Sequence, residues 1–127
     1  MIQVGTFLNV IDNSGAKEAC CIKIVKGYKK RYAFVGDLLF VSVKSLRTKR
    51  KSSSKVKKGD VCLAVVLRTK SNLHSFSGDS FKFFENSVVL LNRQYKFIGT
   101  RIFGALPKQI RYTKYLRAAS LSSGLVN

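Results

Sequence analysis

The sequence predicts a mainly β fold: a small five-stranded β-barrel with a hairpin arm and short C-terminal helices. Three observations predict it. Glycines at Gly15, Gly27, Gly36, Gly59, Gly78 and Gly99 cut the chain into short segments, as turns between strands do. The segments between them are rich in Val, Ile, Leu, Phe and Thr, residues that fit a pleated, half-buried surface. Beyond Pro107 the apolar spacing lengthens from two residues to the helical 3.6. At 127 residues, the chain reads as a single domain over 1–127, with the barrel over about 1–92 and the helical part over about 105–124. A domain of this size buries roughly two-thirds of its unfolded surface.

The expected strands are Thr6 to Ile11, Ala19 to Lys26, Asp37 to Val43, Asp60 to Thr69 and Ser87 to Leu91. The arm spans Leu73 to Phe84 and turns at Ser77-Gly78-Asp79. In the third strand Leu39, Val41 and Val43 alternate with Leu38, Phe40 and Ser42; in the fourth, Val61, Leu63, Val65 and Leu67 alternate with Cys62, Ala64, Val66 and Arg68. Both faces are apolar near the middle, so a further element or a partner must cover the outer one. The C-terminus offers that cover, because Tyr112, Tyr115, Leu116 and Ala119 follow an i, i+3, i+4, i+7 pattern with Arg111, Lys114 and Arg117 on the other side. Pro107 fixes how the chain enters this region and Gly124, after Ser122-Ser123, ends it.

Charge narrows the function. With 24 Lys+Arg against 6 Asp+Glu the formal net charge is +18, on a chain that is 46% hydrophobic. This is a folded polycation, and such a body seeks a polyanion: nucleic acid, an anionic membrane surface or an acidic protein. No apolar run reaches the roughly 18 to 20 residues of a membrane span, and the N-terminal residues Met1 to Thr6 show no targeting peptide. The cations cluster. Lys44, Arg47, Lys49, Arg50, Lys51, Lys55, Lys57, Lys58, Arg68 and Lys70 share their stretch with one acid, Asp60. Lys29, Lys30 and Arg31 lie between Tyr28 and Tyr32, and from Asn86 onward Arg93, Lys96, Arg101, Lys108, Arg111, Lys114 and Arg117 meet no acid at all. Clustered cations among aromatics and hydroxyls suit the phosphate backbone, where each neutralised phosphate releases counterions.

Enzymatic readings have little to rest on. Asp12, Asp37, Asp60 and Asp79 all sit at turns next to Gly or Asn, as turn formers do. The one histidine, His74, lies in the arm with no carboxylate motif around it, and the sequence has no paired acid and base, phosphate loop or nucleophile elbow. Cys20, Cys21 and Cys62 are odd in number, and two of them are adjacent. That fits neither a disulfide framework nor a metal site, so they are read as reduced thiols. No catalytic residue, metal or cofactor is expected.

The blocks Met1-Ile2-Gln3, Leu8-Asn9-Val10 and Asp12-Asn13-Ser14-Gly15-Ala16 resemble the opening of the universal large-subunit ribosomal protein numbered fourteen, in its bacterial and organellar form. Cys21-Ile22-Lys23, Val35-Gly36-Asp37, Lys55 to Asp60, Ala64 to Lys70 and Ile98 to Gly104 continue the likeness in the family's order. The family signature is matched from Ala64 through Ser77-Gly78, Phe83 and Asn86 to Val89-Leu90. The resemblance implies a barrel of the oligonucleotide-binding type and a structural, non-enzymatic role in the large subunit. It also implies contact with large-subunit rRNA and an intersubunit bridge to small-subunit rRNA. As neighbours it implies large-subunit proteins three and nineteen and a docking silencing factor. By motif match it assigns rRNA contact to Asn9, Asn13, Lys23, Lys44, Lys57, Lys58, Arg68, Lys70, Asn92 and Arg101, cations as phosphate clamps and amides as positioning hydrogen-bonders.

Two departures stand out. The loop from Leu46 to Ser54 is longer and more basic than the family pattern, and Ala105-Leu106 replaces a usual Pro-Val pair. Sixteen Lys against eight Arg, nine Phe and seven Ala point to AT-biased coding and to a protein made in a mitochondrion, with the bacterial cytoplasm as the alternative. The competing function is a free RNA-binding barrel acting as a translation or RNA-chaperone factor. Such a factor would carry several exposed aromatics on its strand faces, whereas the Phe residues here sit mostly in apolar runs or in the Phe81-Phe83-Phe84 part of the arm.

Overall fold

A computed structural model describes residues 1–25, 27–48 and 53–126. Five strands close into a barrel in the order β1 (Phe7–Val10), β2 (Ala16–Ile24), β3 (Leu38–Leu46), β4 (Val61–Arg68), β7 (Ser87–Leu91). Neighbours run antiparallel except β1 and β7, which pair in parallel through Asn9 with Ser87 and Val10 with Val88. The arm is the short hairpin β5 (Leu73–His74) and β6 (Ser80–Phe81). It turns where expected, with Ser75 N–H donating to Asp79 O at 2.8 Å and Gly78 N–H to Ser75 O at 3.1 Å.

The two apolar faces foreseen in the third and fourth strands enter separate cores, the inner one fully and the outer one in part, since Phe40 and Val61 stay exposed. Leu39, Val41 and Val43 of β3 point into the barrel with Ala64 and Val66 of β4, Leu8 and Val10 of β1, Ala19 and Cys21 of β2, and Val88 and Leu90 of β7. Leu38, Leu63, Val65, Leu67, Val89 and Leu91 face outward and form a second core with Ile11, Ile102, Leu106, Ile110 and Ala118. The C-terminal segment is therefore the cover.

That segment is built differently from the expected helical stripe. It opens with a strand, β8 (Ala105–Pro107), and passes through a 3-10 turn at Lys108–Tyr112 and a five-residue helix, α1 (Arg117–Leu121). It closes with β9 (Gly124–Val126), which returns to pair in parallel with β8. Helical rise stops at Thr113, whose extended backbone (φ −103°, ψ 169°) breaks the register between the two turns. Tyr112 and Leu116, expected on the apolar face, are exposed, while Ile110 and Ala118 are buried instead. Strand bounds also shift: β2 begins three residues before the expected Ala19, and β3 runs on to Leu46.

Asp12 fastens the end of β1 to β7. Its carboxylate, fully buried, accepts Ser14 N–H (3.1 Å), the Ser14 hydroxyl and, across the barrel seam, Leu90 N–H (3.0 Å). Burial pushes this carboxyl above its ordinary value of 3.8, against the pull of those hydrogen bonds and of Arg47. Since the folded value lies above the unfolded one, Asp12 favours the fold most below about pH 3.8, and that contribution fades as pH rises through the folded value.

Cys20 and Cys21 face opposite ways, Cys21 into the core and Cys20 half-buried outside it, and all three thiols are free. Burial raises Cys21, and pushes Cys62 up to about 11, leaving little thiolate near neutral pH. At pH 7.5, therefore, iodoacetamide is expected to leave Cys21 and Cys62 largely unmodified in the native protein and to label them on unfolding. Rapid native labelling of Cys62, read by peptide mass spectrometry, would contradict this.

Candidate nucleic-acid interface

The six carboxylates of the sequence are all spent within the fold. Asp12 is the buried fastener just described. Asp37 pairs with Lys30 Nζ at 2.7 Å and accepts Phe34 N–H, and Glu85 pairs with Arg68 at 2.7 Å and accepts the Asn9 amide at 2.9 Å. Asp60 accepts Lys57 N–H at 2.8 Å, Asp79 the Ser77 hydroxyl at 3.0 Å, and Glu18 the Ser45 hydroxyl at 3.3 Å. Among the described residues only Lys30 and Arg68 form ion pairs, so most of the described cations stand without a carboxylate.

The loop that joins β3 to β4 enters β4 through a tight turn that presents Lys57 and Lys58. Asp60 N–H donates to Lys57 O (3.2 Å), Gly59 N–H to Val43 O (2.8 Å), and Gly59 adopts φ 89°, a left-handed conformation that glycine reaches without strain. The Asp60 carboxylate serves the Lys57 backbone, which leaves both lysine side chains exposed beside Lys44 at the end of β3. Lys23 is exposed on β2 and pairs in register with Phe40, itself exposed on β3. Lys70, Lys29, Arg31, Arg111, Lys114 and Arg117 are exposed as well, with Lys29 lying 5.3 Å from the Tyr28 ring centre.

A second cationic site gathers where the basic loop leaves the barrel. Arg47 donates from its backbone to Gly15 O (2.9 Å) and from its guanidinium to Val10 O (3.0 Å), and Lys55 donates to Ser14 O (2.8 Å) and, through Nζ, to Ile98 O (3.0 Å). The guanidiniums of Arg47 and Arg101 lie 5.4 and 5.8 Å from the centre of the Phe103 ring, within cation–π range. A cleft of about 710 Å³ opens beside them, lined by Asn9, Lys17, Ser45, Arg47, Thr48 and Glu85 among others. Lys49, Arg50 and Lys51 lie outside the described residues.

Four residues assigned to rRNA contact by resemblance have side chains that hydrogen-bond within the chain. Arg68, half-buried, donates to Ala105 O (2.9 Å), to Phe103 O and to Glu85 (2.7 Å), and lies 5.8 Å from the Phe83 ring centre. A Cβ at Gly104 would run into this guanidinium, so the close approach requires glycine there. The Asn13 side chain donates to the Thr100 hydroxyl (2.9 Å) and accepts Thr100 N–H (2.8 Å) and Arg101 N–H (3.3 Å), which holds Arg101 at the surface. Asn9 donates to Glu85, and Asn92 accepts Gln94 N–H (2.9 Å) and Lys96 N–H (3.0 Å) in a tight turn. These amides and Arg68 shape the surface that the exposed cations populate.

The aromatics depart from the sequence reading. Phe7, Phe34, Phe40, Phe76 and Phe84 are exposed, as are Tyr28, Tyr32, Tyr95 and Tyr112. Only Phe7 and Phe40 belong to barrel strands; the others sit on loops and the arm, where Phe76 stacks edge-on against Tyr112 at 5.9 Å. The surface is thus scattered with stacking groups but has no continuous aromatic platform along its strands.

A closed barrel ringed by uncompensated cations agrees with the resemblance drawn from the ordered sequence blocks. The model of the family described as ribosomal protein L14p/L23e matches residues 1–126, and the chain belongs to that family of large-subunit ribosomal proteins.

Proposed function

We propose that the chain, a structural constituent of the large ribosomal subunit, is held there by phosphate contacts of its exposed cations with large-subunit rRNA, and that it helps to form a bridge to small-subunit rRNA. One observation carries this reading: a chain of net charge +18 whose six carboxylates are all occupied internally. Such a surface is compensated only by an external polyanion. Lys23, Lys44, Lys57, Lys58, Lys70 and Arg101, with Lys29, Arg31, Arg111, Lys114 and Arg117, are the side chains placed to supply the contacts.

Exposed apolar side chains Phe7, Ile22, Phe40 and Val61 on the open outer face of β1 to β4 support docking of neighbouring proteins. Proteins three and nineteen, and a silencing factor, are the partners that the family resemblance suggests. The shared outer core supports reading 1–127 as one domain, since the C-terminal cover has no core apart from the barrel. The lysine-rich, alanine-poor composition supports a mitochondrial ribosome over a bacterial one.

The scattered exposed aromatics favour one competitor, a free RNA-binding barrel that cycles on and off its RNA. Sucrose-gradient fractionation separates the two. The integral protein is expected to stay with the large subunit through a wash at about 0.5 M monovalent salt, where exposed charge pairs alone are heavily screened. Release at modest salt from intact subunits would establish the cycling factor instead.

A further inference from the structure

Between the Asn92 turn and the C-terminal cover lies an open cleft of about 500 Å³, lined by Val25, Leu38, Tyr95, Phe97 and Tyr115 with Lys96, Lys114 and Arg117. The lining contains no carboxylate, and none of its three cations forms an ion pair among the described residues. Its floor is apolar: Leu38 belongs to the outer core, and Val25, Phe97 and Tyr115 pack against that core.

The walls are held by the backbone. Asn92 N–H donates to Lys96 O (2.9 Å), Tyr95 N–H donates to Asn92 O (3.1 Å), and the Asn92 side chain accepts two further backbone amides of the turn. Within it Tyr95 adopts φ 62°, a left-handed conformation unfavourable for a bulky aromatic residue, and the residue is 59% exposed. Strain of this kind, kept on an exposed aromatic at the mouth of a cleft, marks a place where the ring's position matters. Across the cleft, Tyr115 N–H donates to the Thr113 hydroxyl at 3.2 Å, and that hydroxyl donates to Ile110 O at 2.8 Å.

We infer that this cleft receives one unpaired nucleotide of RNA, its base against Tyr95, Tyr115 and Phe97 and its phosphate among Lys96, Lys114 and Arg117. The inference deepens the rRNA-binding reading and rests on it. The chemistry is specific to that occupant: an apolar aromatic floor rejects a bare phosphate, a cationic rim rejects an apolar peptide, and a base presents a π-face with a phosphate one sugar away. A paired base keeps its faces stacked within the helix and cannot enter.

The test compares binding of the full chain, by fluorescence anisotropy at about 150 mM salt, to two labelled RNA stems, one carrying a single bulged adenosine and one fully paired. Charge attraction acts on both alike, so their affinity ratio reads the binding of an unpaired base, and the Tyr95 variants assign it to the cleft rather than to the other exposed aromatics. The native protein is expected to prefer the bulged stem by about tenfold, within the range of base stacking on an aromatic side chain. Tyr95→Phe keeps the ring and should keep the preference. Tyr95→Gly relieves the backbone strain, so its thermal midpoint should not fall, yet the ratio should drop to about one.

A ratio of about one for the native protein, or an unchanged ratio in Tyr95→Gly, would overturn the inference while leaving rRNA binding intact. Failure to bind either stem would defeat the rRNA reading itself. Micromolar binding of free AMP, lost in Tyr95→Gly, would overturn the RNA assignment in favour of a soluble nucleotide.

Discussion

Arg68→Ala is expected to destabilise the protein by about 3 kcal/mol, the range for removing a charged hydrogen-bonding hub from a partly buried site. The substitution would lower the midpoint of thermal unfolding by about 10 °C. Arg68 joins three parts of the molecule: β4, from which it projects, the Phe103–Ala105 backbone of the C-terminal cover, and Glu85 before β7. Its loss leaves the Phe103 and Ala105 carbonyls without their donor and Glu85 without its cation. Lys70→Ala, two residues on and exposed, should shift stability by less than about 0.5 kcal/mol; an equal loss in both variants would refute the hub.

Acid titration adds a second readout. Burial alone would raise the Glu85 carboxyl, but hydrogen bonds from Asn9 and Arg68 and the guanidinium charge outweigh it and hold the group below its ordinary 4.5. A folded value below the unfolded one means that Glu85 contributes stability above about pH 4.5 and loses it as pH falls through the folded value. Glu85→Gln should therefore flatten the acid limb of the stability profile in chemical denaturation, whereas an unchanged limb would assign it to other groups.

Reversing Lys57 and Lys58 to glutamate should produce the largest functional effect, a loss of about a hundredfold in affinity for large-subunit rRNA at physiological salt. Two attractions become repulsions there, and the slope of log K against log salt should shrink by about two. The side chains project from a turn whose geometry rests on Gly59 and the Asp60 carboxylate, so the fold should be unaffected. Filter binding across a salt series reads both quantities. Unchanged slope with unchanged affinity would show that this turn faces away from RNA.

The barrel was legible because period-two alternation survives in Leu39-Phe40-Val41-Ser42-Val43 and in the strand after it, and because their doubly apolar middle demanded a cover. The cover's construction was not. β8 and β9 are three residues each and pair across the segment between them, so no local pattern marks them. The apparent helical stripe from Tyr112 to Ala119 continued through Thr113, where the backbone is extended; one such residue rotates everything after it to another face. Cations could be recognised by type, but burial decides their work: Arg68 and Lys57 look alike in a list of charges, and one is an internal clamp while the other stands in solvent. Asn13 and Asn92 carried a readable signal, each standing at a turn, where an amide serves its own backbone first. The Tyr95 cleft needed a hairpin turn and the C-terminal segment brought side by side, a juxtaposition no spacing encodes.

Closure of the barrel by β1 against β7 also sets a schedule for synthesis. The first strand to leave the ribosome that makes this chain must wait for almost the last barrel residue, because its parallel partner ends at Leu91 and Asp12 fastens to Leu90. Until then β1 and β4 each keep an unpaired edge, and pairings of such long sequence separation form slowly. Between the synthesis of β4 and that of β7, the barrel strands can form at most an open, strongly cationic sheet. Completion, rather than gradual accretion, is the event that makes it a barrel.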